Sequence, residues 1–141
     1  MAYAIQPITT TAALTMTRGR HGNTVVVLDS STGRTLTLPA SSGSGDVYTV
    51  YVKTTVSSGS HVIQVANSTD VMNGGVAIST DIAGITMLAA ATSDTITLSG
   101  STTGGLAGSW VRFTDVVAGF WMLEGFLCSP GAEATPFSAS V

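Results

Sequence analysis

Apolar and polar residues alternate with a period of two through nearly the whole chain, and this pattern commits it to β-strands. In "ALTMT" Leu14 and Met16 alternate with threonines, as Leu36 and Leu38 do in "TLTLP" and Ile96 and Leu98 in "TITL". "TVVVLD" (Thr24 to Asp29) is a continuous β-branched run, and "VYTVYVKTTV" (Val47 to Val56) is the longest strand pattern. "HVIQVA", "GVAIS", "SWVRFTDV" and "FWMLEGFL" complete the set. Between the runs stand turn signals such as Asp29 to Gly33, Ser57 to Ser60, Asn73-Gly74-Gly75, Gly100 to Gly108 and Ala118-Gly119. Their spacing of about 8–12 residues is that of a sandwich or barrel. Only "GITMLAAATSD" (Gly84 to Asp94) tolerates a helix, and Thr86 favours an irregular strand there.

The pattern predicts an all-β fold, an antiparallel two-sheet β-sandwich of jelly-roll type. A chain of 141 residues suits a single domain, residues 1–141. Residues 12–129 carry the core pattern. Residues 1–11 contain Pro7 and a threonine run, and residues 130–141 read "PGAEATPFSASV". Both ends are expected to be extended arms or tails outside the core. In "FWMLEGFL" alternation sends Trp121 and Leu123 to one face and Phe120, Met122 and Phe126 to the other. A strand apolar on both faces is either central between two layers or covered by a partner.

Charge excludes several functions. Only 9% of residues are charged and the net charge is −3, whereas nucleic-acid binding needs clustered Lys and Arg. The single basic cluster, Arg18-Gly19-Arg20-His21, reads as a solvated turn or a contact with an acidic protein surface. No apolar run reaches the ~18 residues of a membrane helix, and the N-terminus lacks the basic and apolar regions of a signal peptide. The chain is therefore expected to be made in a cytoplasm and not secreted, with neither membrane nor nucleic acid as partner. One cysteine, Cys128, precludes an internal disulfide, and "EGFLC" places it in the core.

No pattern supports catalysis, a cofactor or a metal. In "TLTLPASSGSGDVYTVYV" the glycines Gly43 and Gly45 lie between two strands, so no helix opens for a phosphate to sit on, and the loop is a turn. His21 and His61 form no spaced pair for zinc and adjoin no nucleophile elbow. Asp29, Asp46, Asp70, Asp81, Asp94 and Asp115 sit at strand ends and turns, where aspartate caps backbone groups. Tyr51, Trp110 and Trp121 suit either a core or a sugar-stacking platform.

The order of strands and glycine turns from Leu14 to Val141 is similar to that of the cement (decoration) proteins of tailed bacteriophages. The resemblance is carried by "TLTLPASSGSGDVYTVYVKTTVSSGSHVIQVANSTDVMNG", by "SDTITLSGSTTGGLAGSWVRFTDVVAGFWMLEG" and by the closing "ATPFSASV", and is nearest to podoviruses of the Bordetella phage type. It implies a non-enzymatic jelly-roll protein on the outer surface of an icosahedral virion, bridging major capsid subunits as a homodimer or, alternatively, a homotrimer. Expected partner contacts are Arg18, Arg20, Tyr51, Trp121 and Phe137. The alternative is a glycan-binding head-fibre or tail module that attaches virions to a host.

Overall fold

A computed structural model describes residues 6–79 and 84–141. Met1 to Ile5 of the expected N-terminal arm, and Asp81 among the expected caps, lie outside the described residues. The chain forms β1 (Ile8–Thr10), β2 (Leu14–Thr15), a single helical turn α1 (Arg18–His21), β3 (Thr24–Leu28), β4 (Thr35–Thr37), β5 (Val47–Val52) and β6 (His61–Gln64). It continues through β7 (Val71–Ser79), β8 (Gly84–Leu88), β9 (Thr95–Leu98), β10 (Trp110–Val117), β11 (Phe120–Cys128) and β12 (Phe137–Ser138). A seven-stranded sheet runs β1-β3-β5-β10-β11-β7-β8, and a five-stranded sheet runs β12-β9-β6-β4-β2. No helix among the described residues is long and apolar enough to cross a membrane.

The all-β expectation holds, but the sheets are mixed instead of antiparallel. Among the described residues five of the ten strand pairs are parallel: β1/β3, β3/β5, β2/β4, β4/β6 and β7/β11. The reason is the path of the chain. From β1 to β6 successive strands fall alternately in the large and the small sheet. Two crossings between layers bring the chain back beside its earlier strand in the same direction, so the opposite sheet takes the crossover role that a helix fills in a βαβ unit. The antiparallel ladders β7/β8 and β10/β11 join strands consecutive in sequence.

Inward residues of both sheets make one core. Val26, Leu28, Val50 and Val52 come from β3 and β5, Phe113 from β10, and Trp121, Leu123 and Leu127 from β11. They meet Leu36, Ile63, Ile96 and Leu98 of the small sheet. Trp121 is fully buried and meets Tyr48 edge-on, with ring centroids 5.5 Å apart, the favoured aromatic geometry.

Three further expectations are corrected. The described part of the N-terminal segment is stitched to β3 as β1. At the other end β12 pairs with β9, and the Asp94 carboxylate accepts the Ser140 N–H. The described residues of neither segment hang free, because each segment finds backbone partners at a sheet edge. Asn73-Gly74-Gly75, expected as a turn, lies inside β7: Gly74 has φ +129° and a Cβ there would stand 2.1 Å from the Leu123 carbonyl oxygen. These glycines serve close backbone approach within a strand. Cys128 is half-buried at the end of β11 and not in the core.

Gly119 offers the control, since it has φ +86° with open space where its Cβ would project. Gly119→Ala should cost about 1–2 kcal/mol for the left-handed backbone alone. Gly74→Ala should cost about 3 kcal/mol or more, because the clash with β11 adds to that strain. Urea denaturation midpoints measure both, and equal losses would contradict the close-approach account.

Candidate functional site

The outer face of the seven-stranded sheet collects Tyr51, Leu88, Phe120, Met122 and Phe126 from among the exposed large apolar residues described. Pleating along β11 sends Trp121, Leu123 and Leu127 inward and Phe120, Met122, Glu124 and Phe126 outward. Phe120 and Met122 are each 46% exposed and Phe126 is 40% exposed, although β11 lies between β10 and β7. The strand is sheet-central, yet one of its apolar faces meets solvent.

Register extends this face sideways in rows. Val27, Tyr51, Trp110, Phe126, Ala77 and Thr86 stand side by side on six neighbouring strands. The next row is Val25, Thr49, Arg112, Glu124, Gly75 and Leu88. A third brings Val47, Thr114, Met122 and Asn73 together. At the centre Arg112 Nε donates to Glu124 Oε1 at 2.8 Å. The Arg112 guanidinium also lies 5.9 Å from the Trp110 ring centroid, in cation–π range. The face is thus an aromatic strip beside one neutralised ion pair, with apolar residues at both ends of β11.

The expected contact residues separate. Tyr51, 37% exposed, belongs to this face. Trp121 does not: it is fully buried, because its position in the pleat turns it into the core. Phe137 packs against its own core from β12. Arg18 and Arg20 sit on α1, and Arg18 is ion-paired with Asp46, which precedes β5 at the end opposite Tyr51. The structure therefore unites only Tyr51 of the five with the apolar face. Arg112 and Glu124 were not singled out from sequence, although alternation in "WVRFTDVV" sets Arg112 on the Trp110 side. Their meeting required the β10/β11 register.

The glycine loop between β4 and β5 holds an anion of its own. The amides of Ser42 and Gly43 donate to Asp115 at 3.0 and 2.8 Å, and the Ser42 and Ser44 hydroxyls also contact this carboxylate. Burial pushes the Asp115 carboxyl upward, but the hydrogen bonds from Ser42, Gly43 and Ser44 outweigh it and hold the group below its usual range. Asp70 accepts the Ser41 N–H at 2.8 Å, and Asp29 binds Lys53 and Thr54. These aspartates are structural caps. The two histidines are buried acceptors: the Thr17 N–H donates to His21 Nδ1 at 2.9 Å and the Arg34 N–H to His61 Nδ1 at 3.1 Å. Among the described residues no three His, Cys, Asp or Glu gather as metal ligands.

Comparison of the chain with protein-family models, with curated proteins and with solved structures yields no match.

The caps set a pH dependence. Burial lowers the His61 pKa against the opposing Ser30 backbone bond, and the Arg34 charge lowers it further; burial likewise lowers His21. The unfolded chain then binds protons more readily than the native one below pH 6.5, the ordinary histidine value. Stability should be level above that pH and fall as pH drops below it. A second loss begins near 3.8, where Asp29, Asp46 and Asp115 are protonated first in the unfolded chain. His61→Asn keeps an acceptor oxygen and should flatten the denaturation midpoint between pH 6.5 and 5. An unchanged slope would remove His61 from the account.

Proposed function

We propose that this chain is a non-enzymatic capsid decoration protein of jelly-roll type. It binds the outer surface of an icosahedral phage head, bridges neighbouring major capsid subunits and stabilises the shell. The observation that carries this reading is the open apolar face of the large sheet, the mark of a chain that works by assembling with protein surfaces, its own copies among them. Contiguous exposed apolar surface marks contact with another macromolecule, and aromatics with Arg are the residues enriched at protein interfaces. The sparse charge points the same way. Three of the five basic side chains are in ion pairs with carboxylates, Arg18–Asp46, Lys53–Asp29 and Arg112–Glu124. Little net charge remains to attract an anionic polymer.

Tyr51 beside Trp110 supports a second reading, a glycan-binding module that attaches the virion to a host. It is the weaker one, because the Arg112 guanidinium lies over the Trp110 ring that a sugar would need bare. The first reading is tested on particles. Heads lacking the protein should keep normal shell geometry but burst at lower temperature. Added protein should saturate at a fixed ratio to the shell subunit, restore heat resistance and stay largely bound between ~0.1 M and ~1 M salt, since few charges are there to be screened. Equal heat stability of stripped and complete heads, or full release by salt, would overturn it and make a glycan screen the next experiment.

A further inference from the structure

We infer that the outer face of the seven-stranded sheet is covered by the same face of a second copy, related by a two-fold axis that runs along the strands midway between β10 and β11. It rests on the reading of this face as an assembly surface: it gives the homodimer that the resemblance implies a face and an axis, and leaves the shell to be met by the surfaces the pair keeps open.

Such an axis keeps each cross-strand row in place and exchanges the two sides of the sheet, so β10 faces the partner's β11 and β5 faces the partner's β7. In the central row Arg112 then lies over Glu124 of the partner subunit, and Glu124 over Arg112 of the partner subunit. Two positive and two negative groups alternate around the axis. In the next row Trp110 meets the partner's Phe126, and Tyr51 meets the partner's Ala77, a large side chain opposite a small one. Thr49 falls opposite the partner's Gly75. Aligned sheets cross at about 30°, so these pairings apply near the axis and loosen toward the edge strands.

The alternative in-plane axis, at right angles to the strands along the central row, places Arg112 over Arg112 of the partner subunit and Glu124 over Glu124 of the partner subunit. The charge pattern therefore selects one of the two arrangements, and it makes the face complementary to itself, as a two-fold interface requires.

Size agrees. Six inter-strand gaps of ~4.8 Å span roughly 29 Å, and strands of this length give an outline of roughly 600–800 Å². Each partner in a standard interface buries about 800 Å². A pair joined in this way presents every remaining surface twice. In the decoration reading this would let one particle hold two neighbouring shell subunits, with the gain in effective concentration that two linked sites bring.

The test is the mass of the free protein and its charge variants by sedimentation at tens of micromolar. The wild-type chain, 14.2 kDa, should sediment at twice that mass. Arg112→Glu sets acidic groups against acidic groups across the axis, and Glu124→Arg sets basic against basic, so each alone should be monomeric. An equimolar mixture of the two should reassociate into a heterodimer, and the double variant R112E/E124R should dimerise by itself. Both side chains are about half exposed in one copy, so folding should survive. Ala77→Arg, which crowds the partner's Tyr51, provides a second disruption independent of this pair. A monomeric wild type, dimeric single variants, or single variants that fail to reassociate when mixed would each overturn the proposal. A monomeric wild type that still protects heads from heat would overturn the dimer and leave the decoration reading standing.

Discussion

The burial of Trp121 against Tyr48 decides which way β11 faces, and the outer surface follows from it. Side chains on a strand alternate strictly, so a slip of one residue would exchange its two faces. With Trp121, Leu123 and Leu127 in the core, Phe120, Met122, Glu124 and Phe126 have only the outside available. The ladders to β10 and β7 then place Trp110 beside Phe126 and Arg112 beside Glu124. Core packing and the exposed apolar face are the two sides of one register.

The end of the sandwich is closed by polar groups instead of apolar ones. Asp115 lies at an irregularity between β10 and β11 and gathers the amides and hydroxyls of the Ser42–Ser44 loop. This is the same physics by which a glycine loop cradles a phosphate, with backbone N–H groups converging on an anion. Here the protein's own carboxylate fills the cradle. A chain so poor in charge uses its few carboxylates to satisfy turns, and those carboxylates and the two buried histidines connect its stability to pH.

The open face and the winding of the chain concern different scales. The winding brings β1, β3 and β5 together as a parallel run, which widens the large sheet on one side of the β10/β11 hairpin, while β7 and β8 widen it on the other. The hairpin is thereby central, and its outer aromatics lie in the middle of a broad face where water is most easily excluded. On an edge hairpin the same residues would make a narrow strip.

Alternation alone determined that this protein is nearly all β, where most of its central strands lie and which residues of a strand share a face. The Trp121/Phe120 division in "FWMLEGFL" was readable because a period of two is a property of one strand. The aspartates were recognisable as caps by residue type, but the backbone they cap was not, since Asp115 holds Ser42 and Gly43 and Asp70 holds Ser41 from far along the chain. Strand direction was not readable: parallel and antiparallel strands carry the same alternation, and only the path between layers made half of the ladders parallel. Gly74 looked like a turn residue because its sequence neighbours are glycine and asparagine, whereas its role is set by a carbonyl in β11. The end segments looked like free arms until sheet edges supplied partners for their backbones. Arg112 and Glu124 stand twelve residues apart in sequence, and no local pattern joins them. The tertiary structure decided that they meet, because a ladder brings together residues that the chain itself keeps apart.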